Sequence, residues 1–378
     1  MTKKNNSLNE SNIHVGILHK DSSDFYKIKS FSDKYNRLNS ATFDNLFFDW
    51  QYETNRRLIS IQDNGFYYSK NSANEIIGYC SASNAPYIWQ GKRINGRFFH
   101  EWYADSTQTG SAAALLAKQI HSAPILQVMG ASIQNLNVLF RMRQFLWFPL
   151  RRLGVTLNPK KTALLIENNN NNNTEYLLKA LSFQSASKNY ECDSAEIDIF
   201  DNEYQKVWNN VSQQFFATVD KSSDYMNWRY VEHPLLSYNR YLYIKKNGLR
   251  VYIIWRTEYV EEHNVRVARI CEIIGQSNTF REVIPRFLND LLDQEIDYAD
   301  FFCTNSSIND ALQKTGFYEV INLEDLDIPR LFSPLKIDFR KTLHSVISFS
   351  SDLVVNDDMA ISTFYFTKGD VNQDMPNR

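Results

Sequence analysis

Phe48-Asp49-Trp50-Gln51-Tyr52-Glu53 near the start of the chain is echoed by Met226-Asn227-Trp228-Arg229-Tyr230-Val231 in its second half. Each copy precedes a strand pair, a helix and a strand that leads to an asparagine, Asn135 in the first half and Asn305 in the second. A repeat this long is a duplicated domain, because solenoid units are several times shorter. The asparagine run Asn168 to Asn173 lies between the copies. It has no apolar surface to bury and reads as a linker or loop tip. The expected division is therefore 1–165, an Asn-rich linker over 166–175, and 176–378. Two similar domains share a cleft, and one copy is free to lose its chemistry while the other keeps it.

Size and composition agree. The 378 residues are long for one core and suit two of about 150–180 residues. Aromatics make up 14%, which favours strands and ring-lined grooves. A net charge of −2 supplies no global field toward nucleic acid, so no nucleic-acid partner is expected. Cys80, Cys192, Cys271 and Cys303 are scattered, with no CxxC pair, as in a reduced protein. Met1 to Asn12 lacks the apolar core of a signal peptide, and no stretch approaches the ~20 apolar residues of a membrane span. The expected location is the cytoplasm, and no metal site is expected.

Along the first half, Phe31 to Asn55 is helical in pattern, and Glu75 to Ser81 reads as a strand. Gly91 to Gly96 reads as a polar turn and Phe98 to Tyr103 as a strand. Ala112 to His121 is a helix, Ile125 to Met129 a strand, and Asn135 to Leu153 a long apolar helix kinked or stopped at Pro149. In the second half, strands flank Asn247-Gly248, a favoured hairpin turn. Arg266 to Ile274 follows as a strand, Thr279 to Gln294 as a helix and Tyr298 to Cys303 as a strand. Ile308 to Thr315 is a helix closed by Gly316. The fold class is α+β, two domains that each hold a mixed, mostly antiparallel sheet flanked by helices.

The chemistry reads out where the strand Phe98-Phe99-His100-Glu101-Trp102-Tyr103-Ala104-Asp105 meets Ser106-Thr107-Gln108-Thr109-Gly110-Ser111-Ala112-Ala113. Small residues at a strand-to-helix turn let phosphates reach the free amides of the first turn. Here the chain resembles the GNAT family of acyl-CoA-dependent N-acyltransferases. Their pyrophosphate loop has Arg or Gln, two residues, Gly, one residue, then Gly or Ala. Gly110 and Ala112 match the last two positions, and Thr107 departs from the first. Asn305 to Phe317 is similar to the family's later Asn-to-Gly-Phe helix, with Leu312 where a proton-donating Tyr often stands. In the second half Phe280 falls where Gly110 sits, and a Phe there blocks close backbone approach. The first half thus reads as the acyl-CoA half and the second as a degenerate copy. Asn227-Trp228-Arg229-Tyr230 with His233-Pro234, and Phe366 to Pro376, look like tandem GNAT proteins of bacterial surface-polysaccharide clusters. That resemblance implies a bacterial origin and an amino-sugar or glycan acceptor.

Amide formation from a thioester needs a group to take the amine's proton and a donor for the oxyanion. Glu101 is the candidate base, with His100 behind it. The two are expected on opposite sides of the strand, so that only one faces the cleft. Tyr103 is a candidate proton donor to the leaving thiolate. The resemblance implies cofactor contacts from Trp102, Ala104, Thr109, Gly110, Ser111, Ala112 and Asn135. Asp370 and Asp374 are candidates for gripping the acceptor amine, with Trp228 and Arg229 beside them, although Trp50 and Trp228 also suit packing anchors. His233, set before Pro234, suits turn fixing. The helix expected over Phe140 to Arg152 interleaves Arg with Trp, Phe and Leu. It suits a membrane surface or a lipid-linked sugar, or a buried helix whose arginines reach outward.

These residues support transfer of an acyl group, most simply acetyl, from acyl-CoA to an amine on a sugar or glycan precursor. The attack is direct, since no Cys lies beside a His. Two rivals stand: an aminoacyl-tRNA-dependent transferase of similar tandem fold, and a binding protein whose two CoA sites have decayed.

Overall fold

The computed structural model describes residues 13–34, 41–59, 61, 63–108, 110–130, 144–166, 172–184, 192–320, 328–332, 335–336, 343–353 and 361–370. The first half opens with strand β1 (His14–Ile17), helix α1 (Asp24–Asp33) and the short helix α2 (Asn45–Phe48). Asp44 caps α2 by accepting the amides of Leu46 and Phe47, and α2 runs straight into a π-helical turn, Asp49–Glu53. Next come β2 (Phe66–Lys70), β3 (Ile76–Trp89) and β4 (Lys92–Ala104). The turn between β3 and β4 is only Gln90 and Gly91, with φ of 49° and 72°. The polar stretch to Gly96 therefore belongs to β4 and not to a loop, because a tight two-residue turn with positive φ keeps both strands in register. Helix α3 (Ser111–His121) returns the chain to β5 (Ile125–Met129), which lies parallel to β4.

The middle of the chain holds β6 (Gln144–Thr156), α4 (Pro159–Ala163) and α5 (Asn172–Ala180), so the last two asparagines of the run begin a helix. The second half holds β7 (Cys192–Glu196), α6 (Asn202–Ser212), β8 (Ala217–Val219) and α7 (Ser223–Met226), which again runs into a π-helical turn, Asn227–Val231. Then come β9 (Asn239–Lys245), β10 (Arg250–Val260), β11 (Val265–Ile274), α8 (Phe280–Asp293), β12 (Tyr298–Cys303) and α9 (Ser306–Gln313). Short strands β13 (Tyr318–Glu319), β14 (Leu331–Phe332) and β15 (Leu335–Lys336) lead to β16 (Leu343–Phe349).

The helix expected over Asn135 to Leu153 is a strand from Gln144 on, and Asn135 to Arg143 lie outside the described residues. The cause is visible in the exposure pattern: Phe148, Leu150 and Arg152 are buried while Trp147 and Pro149 are exposed, a period of two. Pro149, which would break a helix, sits opposite His344 of β16. Arg151 and Arg152 are both taken by carboxylates, Arg151 by Glu319 and Arg152 by Asp300.

A single path of hydrogen-bonded strands runs β1-β2-β3-β4-β5-β16-β6-β12-β11-β10-β9-β7. Each half is mostly antiparallel with one parallel pair, β4 with β5 and β11 with β12. The halves exchange their last strands. β16, from the end of the chain, completes the first sheet beside β5, and β6, from the middle, completes the second beside β12. The largest apolar cluster runs through both halves. At its centre Trp50 and Trp228 stack with centroids 4.6 Å apart and planes 11° apart. Each indole N–H donates to the other's backbone carbonyl, at 2.8 and 3.0 Å. The repeated motif thus marks a local two-fold axis. All four cysteines are free and buried. Among the described residues no helix is long and apolar enough to cross a membrane.

Candidate functional site

In the first half β4 and β5 pair only from Gly96 with Ile125 to Phe99 with Val128, and β4 continues to Ala104 paired with β3 alone. Where that ladder ends, β4 carries a bulge. Ser81 of β3 faces Glu101 and Ala82 faces Phe99, so His100 is the extra residue. The bulge cancels the alternation expected of a strand. Phe99 and Trp102 pack on the α3 side with Leu116 and Ile120, while His100 and Glu101 share the other side. His100 Nε2 lies 2.7 Å from Ser83 Oγ, and its ring meets the Tyr52 ring edge-on. Burial, and then the Arg229 charge, push its pKa down to about 3, so the imidazole is neutral near pH 7. The Tyr79 hydroxyl donates toward Glu101 Oε2 at 3.4 Å. Burial and the Glu101 charge raise Tyr52 and Tyr79 far above the ordinary tyrosine value, so both keep their protons.

Beside this point begins α3. Gly110 is its N-cap residue, exposed, at φ 91°, and no side chain among the described residues caps the helix. A left-handed residue there strongly favours glycine. The first-turn amides of a helix have no partners within it. Ser111 is buried and anchors the turn through Ser69 Oγ at 2.7 Å. Gly78 allows this approach, because a Cβ there would lie 2.8 Å from Ser111 Oγ and 2.9 Å from the Tyr103 carbonyl.

The second half repeats the arrangement and closes it. β11 and β12 pair from Val267 with Tyr298 to Ile270 with Phe301, and Cys271 is the extra residue of a matching bulge. Glu272 therefore stands where Glu101 stands, and Tyr230 of the repeated motif stands where Tyr52 stands. Here the chain's own segment Phe364 to Asp370 fills the space. Thr367 bridges to Cys303 of β12, and Tyr365 bridges to Thr218 of β8. Glu272 accepts from Lys221 Nζ at 2.6 Å, Tyr230 at 3.1 Å, Thr367 at 3.0 Å and Tyr365 at 2.9 Å. Lys221 also pairs with Asp370. Burial and the neighbouring Asp370 charge raise Glu272 to about 7 against the pull of Lys221, and burial raises Asp370 too. One ammonium thus serves two buried carboxylates.

The sequence matches no protein-family model and no curated protein. Solved structures do match. N-myristoyltransferase from Saccharomyces cerevisiae, solved with bound myristoyl-CoA, aligns at TM-score 0.51 and 9% identity over 89% of this chain and 79% of its own. An Enterococcus faecalis protein described as a probable N-acyltransferase aligns at 0.52 and 10%, over 82% and 70%. A GCN5-related N-acetyltransferase from Anabaena variabilis aligns at 0.50 and 12%, over 89% and 72%. The fold is that of the GNAT-type N-acyltransferases.

In the first half of this GNAT fold His100, Glu101 and Tyr103 lie on β4, and Gly110, Ser111 and Ala112 lie at the start of α3, the helix that follows it. Glu101 and Tyr103 share the Tyr79 side of β4. Trp102 lies on the other side, its indole N–H donating to the Ala112 carbonyl at 3.2 Å. Ala104 ends β4, paired with Gly78. Thr109, Asn135 and Asp374 lie outside the described residues. Asp370 belongs to the second half, buried and already paired with Lys221. Trp228 is buried in the tryptophan stack, and Arg229 is buried with its Nε donating to the Gly369 carbonyl at 3.0 Å. His233 Nδ1 accepts the amides of Leu235 and Leu236, both at 3.1 Å. Leu312 is in the core. Among the described residues no group of His, Cys, Asp or Glu could hold a metal ion.

Sequence reasoning missed Tyr52, Tyr79, Lys221 and Glu272. Tyr52 and Tyr230 were readable as the last shared position of the motif. Glu272 was not, because the spacing from motif to bulge differs between the halves and no single offset aligns both.

Proposed function

We propose that the chain transfers an acyl group from acyl-CoA to a primary amine in the first-half cleft. The observation that carries this reading is the bulge at His100. It places a carboxylate and a neutral imidazole on one side of β4, at the end of the β4–β5 ladder and beside the uncapped start of α3. The α3 amides would hold the pyrophosphate. A backbone N–H at the bulge would polarise the thioester carbonyl. Glu101 would take the amine's proton directly or through water, and Tyr103 would supply a proton to the leaving thiolate. Attack is direct, because burial raises the Cys80 and Cys303 thiols well above the ordinary value and leaves no thiolate nucleophile there. Acetyl as the acyl group, and an amino sugar or glycan precursor as acceptor, follow the resemblance in the sequence.

A calorimetric titration with acetyl-CoA tests the donor. Wild type is expected to bind, and Gly110→Trp, which puts a large side chain at φ 91°, to bind at least tenfold more weakly while staying folded. Absence of binding to wild type would overturn the acetyl-CoA reading. Glu101→Gln is expected to keep the acyl-CoA affinity and lose about 100-fold in kcat. An unchanged kcat would remove Glu101 from the reaction.

A further inference from the structure

His100 is the extra residue of the β4 bulge, half-buried, and the fold treats its two ring nitrogens differently. Nε2 lies 2.7 Å from Ser83 Oγ, whereas Nδ1 has no partner among the described residues. Ser83 is 2% exposed, and among the described residues its hydroxyl bonds to His100 and to nothing else. A hydroxyl has one proton to place, and an orphaned buried donor is rarer than an acceptor with a spare lone pair. The Ser83 proton therefore points at Nε2, which accepts it, and the imidazole carries its own proton on Nδ1. Burial and the Arg229 charge keep the ring from taking a second proton near pH 7. The side chain is thus a neutral donor fixed in one tautomer, and too weak a base to hold an amine's proton. Nδ1 is bonded to Cγ, so it lies close to the bulge backbone, where the β4–β5 ladder ends. In the second half Cys271 and Arg256 stand where His100 and Ser83 stand, so the closed copy lacks this pair.

We propose that His100 donates a hydrogen bond through Nδ1–H to the thioester carbonyl oxygen, and that Ser83 is the positioning residue that sets this tautomer. The inference rests on the proposed acyl transfer and makes His100 an electrophile in place of a base. As the amine nitrogen bonds to the carbonyl carbon, the C=O π pair moves onto the oxygen. There Nδ1–H and a bulge N–H share the negative charge. The imidazole keeps its proton throughout, as a neutral histidine that polarises a carbonyl does. When the pair returns, the C–S bond breaks and the sulfur leaves with its electrons. Tyr103 protonates the sulfur, and Glu101 takes the amine's proton.

Two NMR measurements at pH 7 test this, one on isotope-labelled histidine for the tautomer and one on acetyl-CoA labelled at its thioester carbonyl carbon. Wild type is expected to hold the His100 proton on Nδ1 and to shift the carbonyl of bound acetyl-CoA downfield. Ser83→Ala removes the donor to Nε2 and is expected to let the ring proton move there, and His100→Leu removes the ring donor outright. Each is expected to lose at least half of the carbonyl shift at unchanged acetyl-CoA affinity. His100→Asn places an amide N–H near the position of Nδ1–H and is expected to restore the shift, which a purely structural role of the ring does not predict. A wild type protonated on Nε2, or a Ser83→Ala with an unchanged tautomer, overturns the proposal. So does an equal carbonyl shift in wild type and His100→Leu. If His100→Leu does not fold, Ser83→Ala decides alone. A wild type that does not bind acetyl-CoA sinks acyl transfer from that donor and this role with it, whereas binding with an unmoved carbonyl sinks the role alone.

Discussion

Trp50→Ala is expected to destabilise the protein by about 4 kcal/mol, within the 3–5 kcal/mol typical of truncating a buried Trp. Trp50 is 5% exposed and Trp228 3%. Truncation removes the ring stack, worth about 1 kcal/mol beyond area. It also leaves the buried Trp228 carbonyl without its 2.8 Å donor, a loss of about 1–3 kcal/mol if nothing replaces it. Because the two rings contact each other on the axis between the halves, the effects of Trp50→Ala and Trp228→Ala are not independent. The double variant is expected to fall short of their sum by about 1–2 kcal/mol. Urea unfolding followed by circular dichroism measures both quantities. A loss below about 1 kcal/mol for Trp50→Ala would show that the axis holds nothing together.

The second large effect lies under β14, where Arg152, Arg256 and Arg269 crowd around Glu258 and Asp300. Asp300 bridges Arg152 and Arg269 at 2.9 and 2.7 Å, and all three are almost completely buried. Asp300→Ala leaves the buried Arg152 without its carboxylate and Arg269 with Glu258 only, and is expected to cost about 3–5 kcal/mol. Lys368, 3% exposed over the Phe302 ring, faces the same cluster. Burial and the Arg269 charge lower its pKa from 10.5 to about 7. The folded state thus binds fewer protons than the unfolded state between those values, so stability is full above about pH 10.5 and declines as pH falls toward 7. Lys368→Met is expected to flatten that slope and to raise stability at pH 7 by about 2–4 kcal/mol. Opposite signs for two substitutions in one cluster make the test severe. A Lys368→Met that destabilises at pH 7 would refute the excess of buried positive charge.

Much of the fold was legible because its signals are local. The repeated Trp motif, the Asn247-Gly248 turn and the Gly316 helix stop each depend on a few neighbouring residues. From β9 to α9 the second half was read element by element for that reason. The failures share a different cause. At Pro149 an apolar run of helical length turned out to be a strand, since its partners, β16 and β12, lie far away in sequence. At His100 and Glu101 the rule of alternation failed because a bulge needs both strands to define it. Glu101 and Gly110 stood out in the sequence as candidates, but the tyrosines around Glu101 did not, because only the fold brings residues 52 and 79 beside residue 101. Asp370 was singled out as an acid in a tail, and nothing in the sequence says that Lys221 is waiting for it.

The exchanged strands also set an order of events during synthesis. The sixth strand of the first sheet is β16, residues 343–349, so that sheet stays open at β5 until most of the chain has been made. The second sheet has the reverse situation, its partner strand β6 being ready before β12 exists. Pairings this distant in sequence close late and slowly. A nascent first half therefore carries an unpaired edge at β5, beside the β4–β5 ladder, and neither half can mature without the other.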